Sequence, residues 1–236
     1  MKKKILSAII ICVIFILLQV INIRYKKYTD INEREKIENV IKEEPNANKQ
    51  IEVLRKEYDN EDIKAVIKSD ALELECIVLQ TSNNEFYMNH NEKKDYEIKG
   101  SAFFDYRNRY ESKRLIIYGH NSKTLKTNFG KLVKYLNEDF TKNNPYIYLT
   151  TDEGITKWKI FSIMIVPNNT TKHTKIEFTT ANELEENISW MKQNSIIEFN
   201  EDIGLNDQLL TLQTCYYEPE NSFLLVNFKK VEDNNE

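Results

Sequence analysis

From residue 72 to residue 230 the chain consists of short β-type runs separated by turn-forming clusters, a rhythm that few folds accommodate. The runs fall at 72–80, 101–105, 114–118, 146–150, 157–166, 208–212 and 223–230. Asn121-Ser122, Asn143-Asn144-Pro145, Asp152-Glu153-Gly154 and Asn168-Asn169 lie between them, and such residues favour turns. Two intervals have helical spacing instead. In 129–136, Phe129, Leu132, Val133 and Leu136 share a face; in 182–194, Leu184, Ile188 and Met191 do, with Trp190 beside them. Many short strands with two inserted helices predict a mainly β fold, a closed or partly closed barrel.

The N-terminal part reads differently. Met1-Lys2-Lys3-Lys4 precedes a nearly continuous apolar run from Ile5 to Ile21, with Ser7 and Gln19 as its polar interruptions. Counted to residue 23, it approaches the roughly 20 residues that span a bilayer. It is longer than the apolar core of a removable signal peptide, and no small-x-small site follows, so an uncleaved signal-anchor is expected. The lysines at 2–4 predict a cytoplasmic tail and an exported C-terminal bulk, although Arg24, Lys26 and Lys27 on the far flank oppose that orientation. The expected organisation is a tail at 1–4, a membrane anchor at 5–23, a helical membrane-proximal segment at 24–60 and a catalytic domain at 61–236. Apolar spacing at Ile37, Val40 and Ile41, a break near Pro45, and Ile51, Val53 and Leu54 beyond it predict one or two helices reaching to about residue 68.

Composition excludes more than it suggests. The net charge of −4 gives no global attraction for nucleic acid, and five Gly and four Pro argue against low-complexity structure. No Gly-rich phosphate loop, internal repeat or metal-ligand spacing is present. Of three cysteines, Cys12 lies in the apolar run and Cys76 in a strand-like run where it reads as a small buried hydrophobe. A Cys76–Cys215 disulfide is the alternative, and it would silence Cys215 as a nucleophile.

Cys215 and His120 are the candidates for chemistry. Each closes a strand-like run, Thr211-Leu212-Gln213-Thr214-Cys215 and Leu115-Ile116-Ile117-Tyr118-Gly119-His120. A thiolate attacks acyl carbon and an imidazole manages the proton on an amine, so the pair suits acyl transfer. His90 and His173 read as surface or packing residues. Tyr216 and Tyr217 read as core or groove wall.

Thr211-Leu212-Gln213-Thr214-Cys215 resembles the sortase Thr-Leu-x-Thr-Cys signature, and Tyr118-Gly119-His120 resembles the sortase histidine motif. Phe86-Tyr87-Met88-Asn89-His90, the Gly100-to-Asn108 stretch and Asn128-Phe129-Gly130-Lys131-Leu132 are similar to class B sortases. This resemblance implies an eight-stranded β-barrel with N-terminal helices and a helical insertion between strands 6 and 7, behind the transmembrane helix. It implies a transpeptidase that cleaves a Pro-x-Thr-type sorting signal after Thr through a Cys215 thioacyl intermediate. The acyl group then passes to a peptidoglycan amine, with His120 as acid and base. Implied partners are exported proteins bearing the signal, the cell-wall amine and the membrane, with an extracellular catalytic domain. No cofactor or metal is implied. Substrate contacts map to Asn84, Met88, Gln213, Thr214 and Tyr216, and the loop at 166–178 maps to a cover over the groove.

One element of the family pattern is missing. Sortases carry an arginine on the strand after the cysteine, and no arginine follows Arg114. Alignment of the last strand puts Ser222 in its place, able to donate one hydrogen bond but lacking charge and fork. Lys229 and Lys230 fall too far along that strand. The expectation is weak transpeptidation, or a degenerate domain that binds sorting signals with little or no turnover.

Overall fold

The computed structural model describes residues 2–44 and 46–232; side chains at 2–8 and at several positions within 22–34, and at 48, fall outside that description. The chain divides into two compact units, residues 1–43 and 44–236. The first is one helix, α1 (Lys2–Glu43). Its described side chains from Ile9 to Ile21 include a nearly unbroken series of exposed large apolar groups. Among the described residues, no helix is long and apolar enough to cross a membrane. The expected anchor at 5–23 lies partly outside the described side chains, at 5–8 and 22–23.

The second unit starts with α2 (Ala47–Tyr58), on the far side of the expected break near Pro45. Ile51, Leu54 and Tyr58 recur at helical spacing and are all buried. Arg55 fastens the helix, donating from Nε to the Ile63 carbonyl (2.8 Å) and from its η nitrogens to both Asp152 oxygens (3.1 and 2.6 Å).

Eight strands follow: β1 (Ile63–Ser69), β2 (Leu74–Leu79), β3 (Ala102–Phe104), β4 (Arg114–Tyr118), β5 (Tyr146–Thr151), β6 (Gly154–Pro167), β7 (Leu209–Tyr216) and β8 (Ser222–Val231). They close into a barrel in the order β1-β2-β3-β4-β7-β8-β6-β5. Two ladders are parallel, β2 with β3 and β4 with β7. The interior is filled by Ile67, Val78, Phe104, Ile117, Leu149, Trp158, Leu212 and Val226 among others. The expected eight-stranded barrel is thus present, with α4 (Ala181–Gln193) as the helical insertion between β6 and β7.

Two local expectations need correction. Residues 63–68, expected to prolong a helix, form β1 instead, because β2 and β5 pair with both of its edges. Pairing overrides the local pattern of so short a segment. The interval 129–136 is helical but wound as a 3-10 helix (Phe129–Leu136). Its buried residues are Phe129, Leu132 and Tyr135, three apart, which is the 3-10 period; Val133 faces solvent. A further short helix, α3 (Glu138–Asn143), follows it. Cys76 and Cys215 are both free, so the Cys76–Cys215 disulfide does not form, and Cys76 is buried in the core.

α4 covers the outer face of β6, β7 and β8. Leu184, Ile188 and Met191 pack with Phe161, Met164, Leu209 and Leu225 in a second core. Thr180 caps the helix by accepting from Glu183 N (3.2 Å), while Glu183 Oε2 accepts from Thr179 N (2.7 Å). Leu54, on the inner face of α2, is fully buried. Leu54→Ala should lower stability by about 2–5 kcal/mol, the usual cost of emptying such a site. Urea denaturation checks this, and an unchanged midpoint would show that α2 does not belong to the folded unit.

Candidate active site

The site is built by the parallel ladder of β4 and β7. Its register sets Tyr118 beside Gln213, and Gly119 N donates to Gln213 O (3.1 Å). His120 and Cys215, each two residues beyond that pair, therefore leave neighbouring strands at the same end of the barrel. Three further bonds hold the ends together. Thr214 Oγ1 donates to Gly119 O (2.7 Å), Asn121 Nδ2 donates to Cys215 O (3.0 Å), and the Tyr217 hydroxyl donates to Asn121 O (2.7 Å). Gly119 admits no side chain, since an added Cβ would lie 2.5 Å from the Phe129 ring.

Side chains alternate along β7. Leu210 and Leu212 point into the barrel, while Leu209 joins the α4 core outside. Thr211, Gln213 and Cys215 share the face of Leu209 by the two-residue period. Thr211 donates to Asn227 Oδ1 (2.8 Å), Asn227 Nδ2 to Ser162 Oγ (3.4 Å), and Ser162 Oγ to Met191 O (2.7 Å). This buried chain ties the strand of the nucleophile candidate to β8, β6 and α4.

Burial pushes the Cys215 thiol above its ordinary value. His120 Nε2 lies 2.7 Å from the Met88 carbonyl oxygen. A carbonyl only accepts, so Nε2 carries the proton and Nδ1 is the nitrogen left for proton transfer. Met88 therefore meets His120 through its main chain, while its side chain is exposed.

On the other side of β7, the antiparallel register with β8 sets Phe223 across from Cys215 and Ser222 across from Tyr216. Ser222 also pairs with Pro167 of β6 and is buried. Lys229 pairs with Leu209, six residues from Cys215 along the strand, and donates to Asp202 O (2.7 Å). The phenyl ring of Phe223 meets the imidazole of His173 edge-on, 5.8 Å between centroids.

The remaining candidates are spread around this centre. Asn84 donates to Asp105 Oδ2 (3.1 Å) and accepts from Tyr106 N (2.8 Å). The buried Asp105 also accepts from Arg107 and from the Tyr118 hydroxyl (2.8 Å). Burial alone would raise its pKa, but these donors hold it below the usual carboxylate range. Arg107 reaches onward to Thr174 O (2.8 Å), in the 3-10 turn Lys172–Thr174 between β6 and α4. Gln213 is buried, and its Oε1 and both His173 ring nitrogens make no hydrogen bond of ordinary geometry. Tyr216 is half-buried at the end of β7. Sequence reasoning missed Phe223, the network on Asp105, and His173 as a neighbour of Phe223. The first depended on an unseen register, and the others on a loop that folds back across the sheet.

The Sortase domain family matches residues 67–227. The chain belongs to the sortase family. Its similarity is to class B: sortase B of Listeria monocytogenes is 34% identical over 147 residues, covering 61% of this chain and 58% of that protein. Sortase B of Staphylococcus aureus is 28% identical over 160 residues, covering 66% and 64%. The sortase match thus spans about three-fifths of the length of these curated relatives. Among solved structures, Clostridium perfringens sortase B aligns with a TM-score of 0.72 and 26% identity, covering 77% of this chain and 99% of that one. The Staphylococcus aureus sortase B–substrate complex shares the fold with a TM-score of 0.80 at 24% identity, covering 89% and 99%.

Two outcomes follow from the electrostatics of this sortase site. With the Cys215 thiol raised above the ordinary 9.0, its alkylation by iodoacetamide should still climb with pH up to that value. A plateau near neutral pH would mean that a charge lowers the thiol after all. The pKa of His173 falls from 6.5 to about 4, by burial first and the Arg114 charge second, with Gln213 opposing. The unfolded chain then binds that proton more readily, so stability present above pH 6.5 drains away as pH falls towards 4. His173→Phe should flatten this decline, read as urea midpoints across that window, and an equally steep decline would refute it.

Proposed function

We propose that this sortase is a cysteine transpeptidase that joins exported proteins to a cell-wall amine. The observation carrying this reading is the β4–β7 register, which brings His120 and Cys215 to adjacent strand ends. Proton transfer from Sγ to Nδ1 of His120 gives a thiolate and an imidazolium. The thiolate attacks the Thr carbonyl of a Pro-x-Thr-type signal, and the tetrahedral species collapses as His120 returns the proton to the departing amine. A thioester to Cys215 remains. An incoming peptidoglycan amine, deprotonated by His120, then attacks it and releases the thiol. Two structural neighbours support the substrate classes: one is a sortase B–substrate complex, and another is sortase B complexed with triglycine. Tyr216, Asn84 and Met88 border the groove in this reading, with the buried Gln213 and Thr214 in the strand behind it. The exposed apolar series on α1 supports a membrane anchor, with the catalytic unit on the outer face of the cell.

A second reading has one observation in its favour. The start of β8 carries no cation beside the site: Phe223, which is apolar, stands across from Cys215, and the uncharged Ser222 across from Tyr216. Losing one oxyanion donor costs acyl-transfer enzymes roughly 100- to 1000-fold in rate, so the chain could bind signals with little turnover.

Mass spectrometry of the full chain incubated with a sorting-signal peptide separates the two. Transpeptidation gives an acyl adduct on Cys215 and product with triglycine, both abolished in Cys215→Ala. Peptide binding without either signal would leave the second reading standing. Phe223→Arg should raise turnover about 10-fold or more, on the same rate scale, while Ser222→Arg should not. Equal gains from both would show that the two strands do not hold this register.

A further inference from the structure

His120 is oriented by a main-chain atom, and the way that atom is held points to a residue outside the familiar motif. We propose that the Met88 carbonyl is the third member of the catalytic unit and that Gly100 is the positioning residue that keeps it there. This rests on the transpeptidase reading for its consequence in turnover, but not for its structural test.

Met88 closes the 3-10 turn Phe86–Met88, with Met88 N donating to Glu85 O (3.1 Å) and Asn89 N to Phe86 O (3.4 Å). The turn is anchored through Tyr87, whose buried ring brings its hydroxyl to Asp62 Oδ2 (2.8 Å) and to the Asn60 amide donor (3.0 Å). The Tyr87 carbonyl is engaged by Ser101 N (3.0 Å), which leaves the next carbonyl, that of Met88, directed at His120. Gly100 passes directly behind both carbonyls. Its φ is +54°, and a Cβ there would lie 2.5 Å from Tyr87 O, 2.6 Å from Met88 O and 2.8 Å from Met88 C. Each of these is a backbone atom, so no side-chain rotation relieves the contact. Any residue other than glycine must therefore shift the backbone at this contact, of which the Met88 carbonyl is one side.

The chemistry explains why this placement matters. An acceptor on Nε2 fixes the tautomer, so Nδ1 keeps the lone pair that can take the proton from sulfur. When Nδ1 takes the proton, the ring becomes a cation and the Nε2–H···O=C bond becomes charge-assisted, hence stronger. The Nε2 proton never leaves; only the Nδ1 proton shuttles between Cys215 and the amines. An orienting group that tightens its hold on the charged base is the role an acid plays in other nucleophile–base pairs.

The test uses the full chain labelled with ¹⁵N-histidine, which holds three histidines. The wild type should show His120 as the Nε2–H tautomer, and Gly100→Ala should convert a measurable share to Nδ1–H. In the same variant kcat/KM for a sorting-signal peptide should fall roughly 10- to 100-fold with a displaced pH profile, as expected when a catalytic group shifts by about an ångström. A wild-type Nδ1–H tautomer, or an unchanged tautomer in Gly100→Ala, overturns the proposal. If Gly100→Ala does not fold, Tyr87→Phe loosens the same turn without adding atoms and should move the tautomer in the same direction; no movement there also counts against it. Absence of turnover in the wild type would instead defeat the transpeptidase reading, while the tautomer still decides this one.

Discussion

The parallel pairing of β4 with β7 is the constraint on which the rest of this molecule depends. Parallel strands cannot be joined by a tight turn, so the two halves of the site arrive from residues about a hundred positions apart in the chain. Their relative placement is then fixed by hydrogen bonds rather than by loop length. Thr214, Asn121 and Tyr217 add side-chain ties at the open end of the ladder, where strand bonds alone would fray. The threonines of the signature thus act mainly on the frame: Thr211 holds β7 to β8, and Thr214 holds it to the histidine strand.

Much of the barrel is legible because its strands carry continuous apolar, β-branched runs. The run 114–118 coincides with β4, and the end of β6 is read within a residue. The apolar run of β7 stops at Leu212, but the strand continues through Gln213, Thr214 and Cys215 to Tyr216. Polar residues hide a strand from hydropathy, yet here both neighbouring strands supply partners. β1 is hidden for the related reason that its pairing with β5 joins residues distant in sequence. Within the site, Cys215 and His120 are readable from their motifs. The residue opposite Cys215 is not, because the β7–β8 connection sets that register. There Asn221 adopts a left-handed φ of 58°, a conformation asparagine tolerates, and its carbonyl receives Asn168 N (2.8 Å). One residue more in that connection would bring Ser222 across from Cys215, and one fewer would bring Leu224.

The outer face beside the site is more polar than its burial would suggest. Arg114 is fully buried, and among the described residues no carboxylate pairs with it: it donates to His173 O (3.1 Å) and to Asn187, and lies over the Phe178 ring (5.6 Å). Burial pulls its pKa down to about 10, so it stays charged near neutral pH. With Arg107 bonded to Thr174 O, two guanidiniums hold the carbonyls of one short turn between β6 and α4. Asp105 compensates Arg107, whereas the described partners of Arg114 are neutral dipoles and an aromatic ring.

The strand order has a consequence for the history of each molecule. β7 lies between β4 and β8, and β8 closes the barrel against β6. A chain that emerges N-terminus first has six strands available before the one bearing Cys215, and that strand cannot take its central place until the last one follows. The strand bearing the thiol is therefore placed late, long after the histidine strand has been made. Topology thus makes the thiol half of the site one of the last parts of the barrel to find its place.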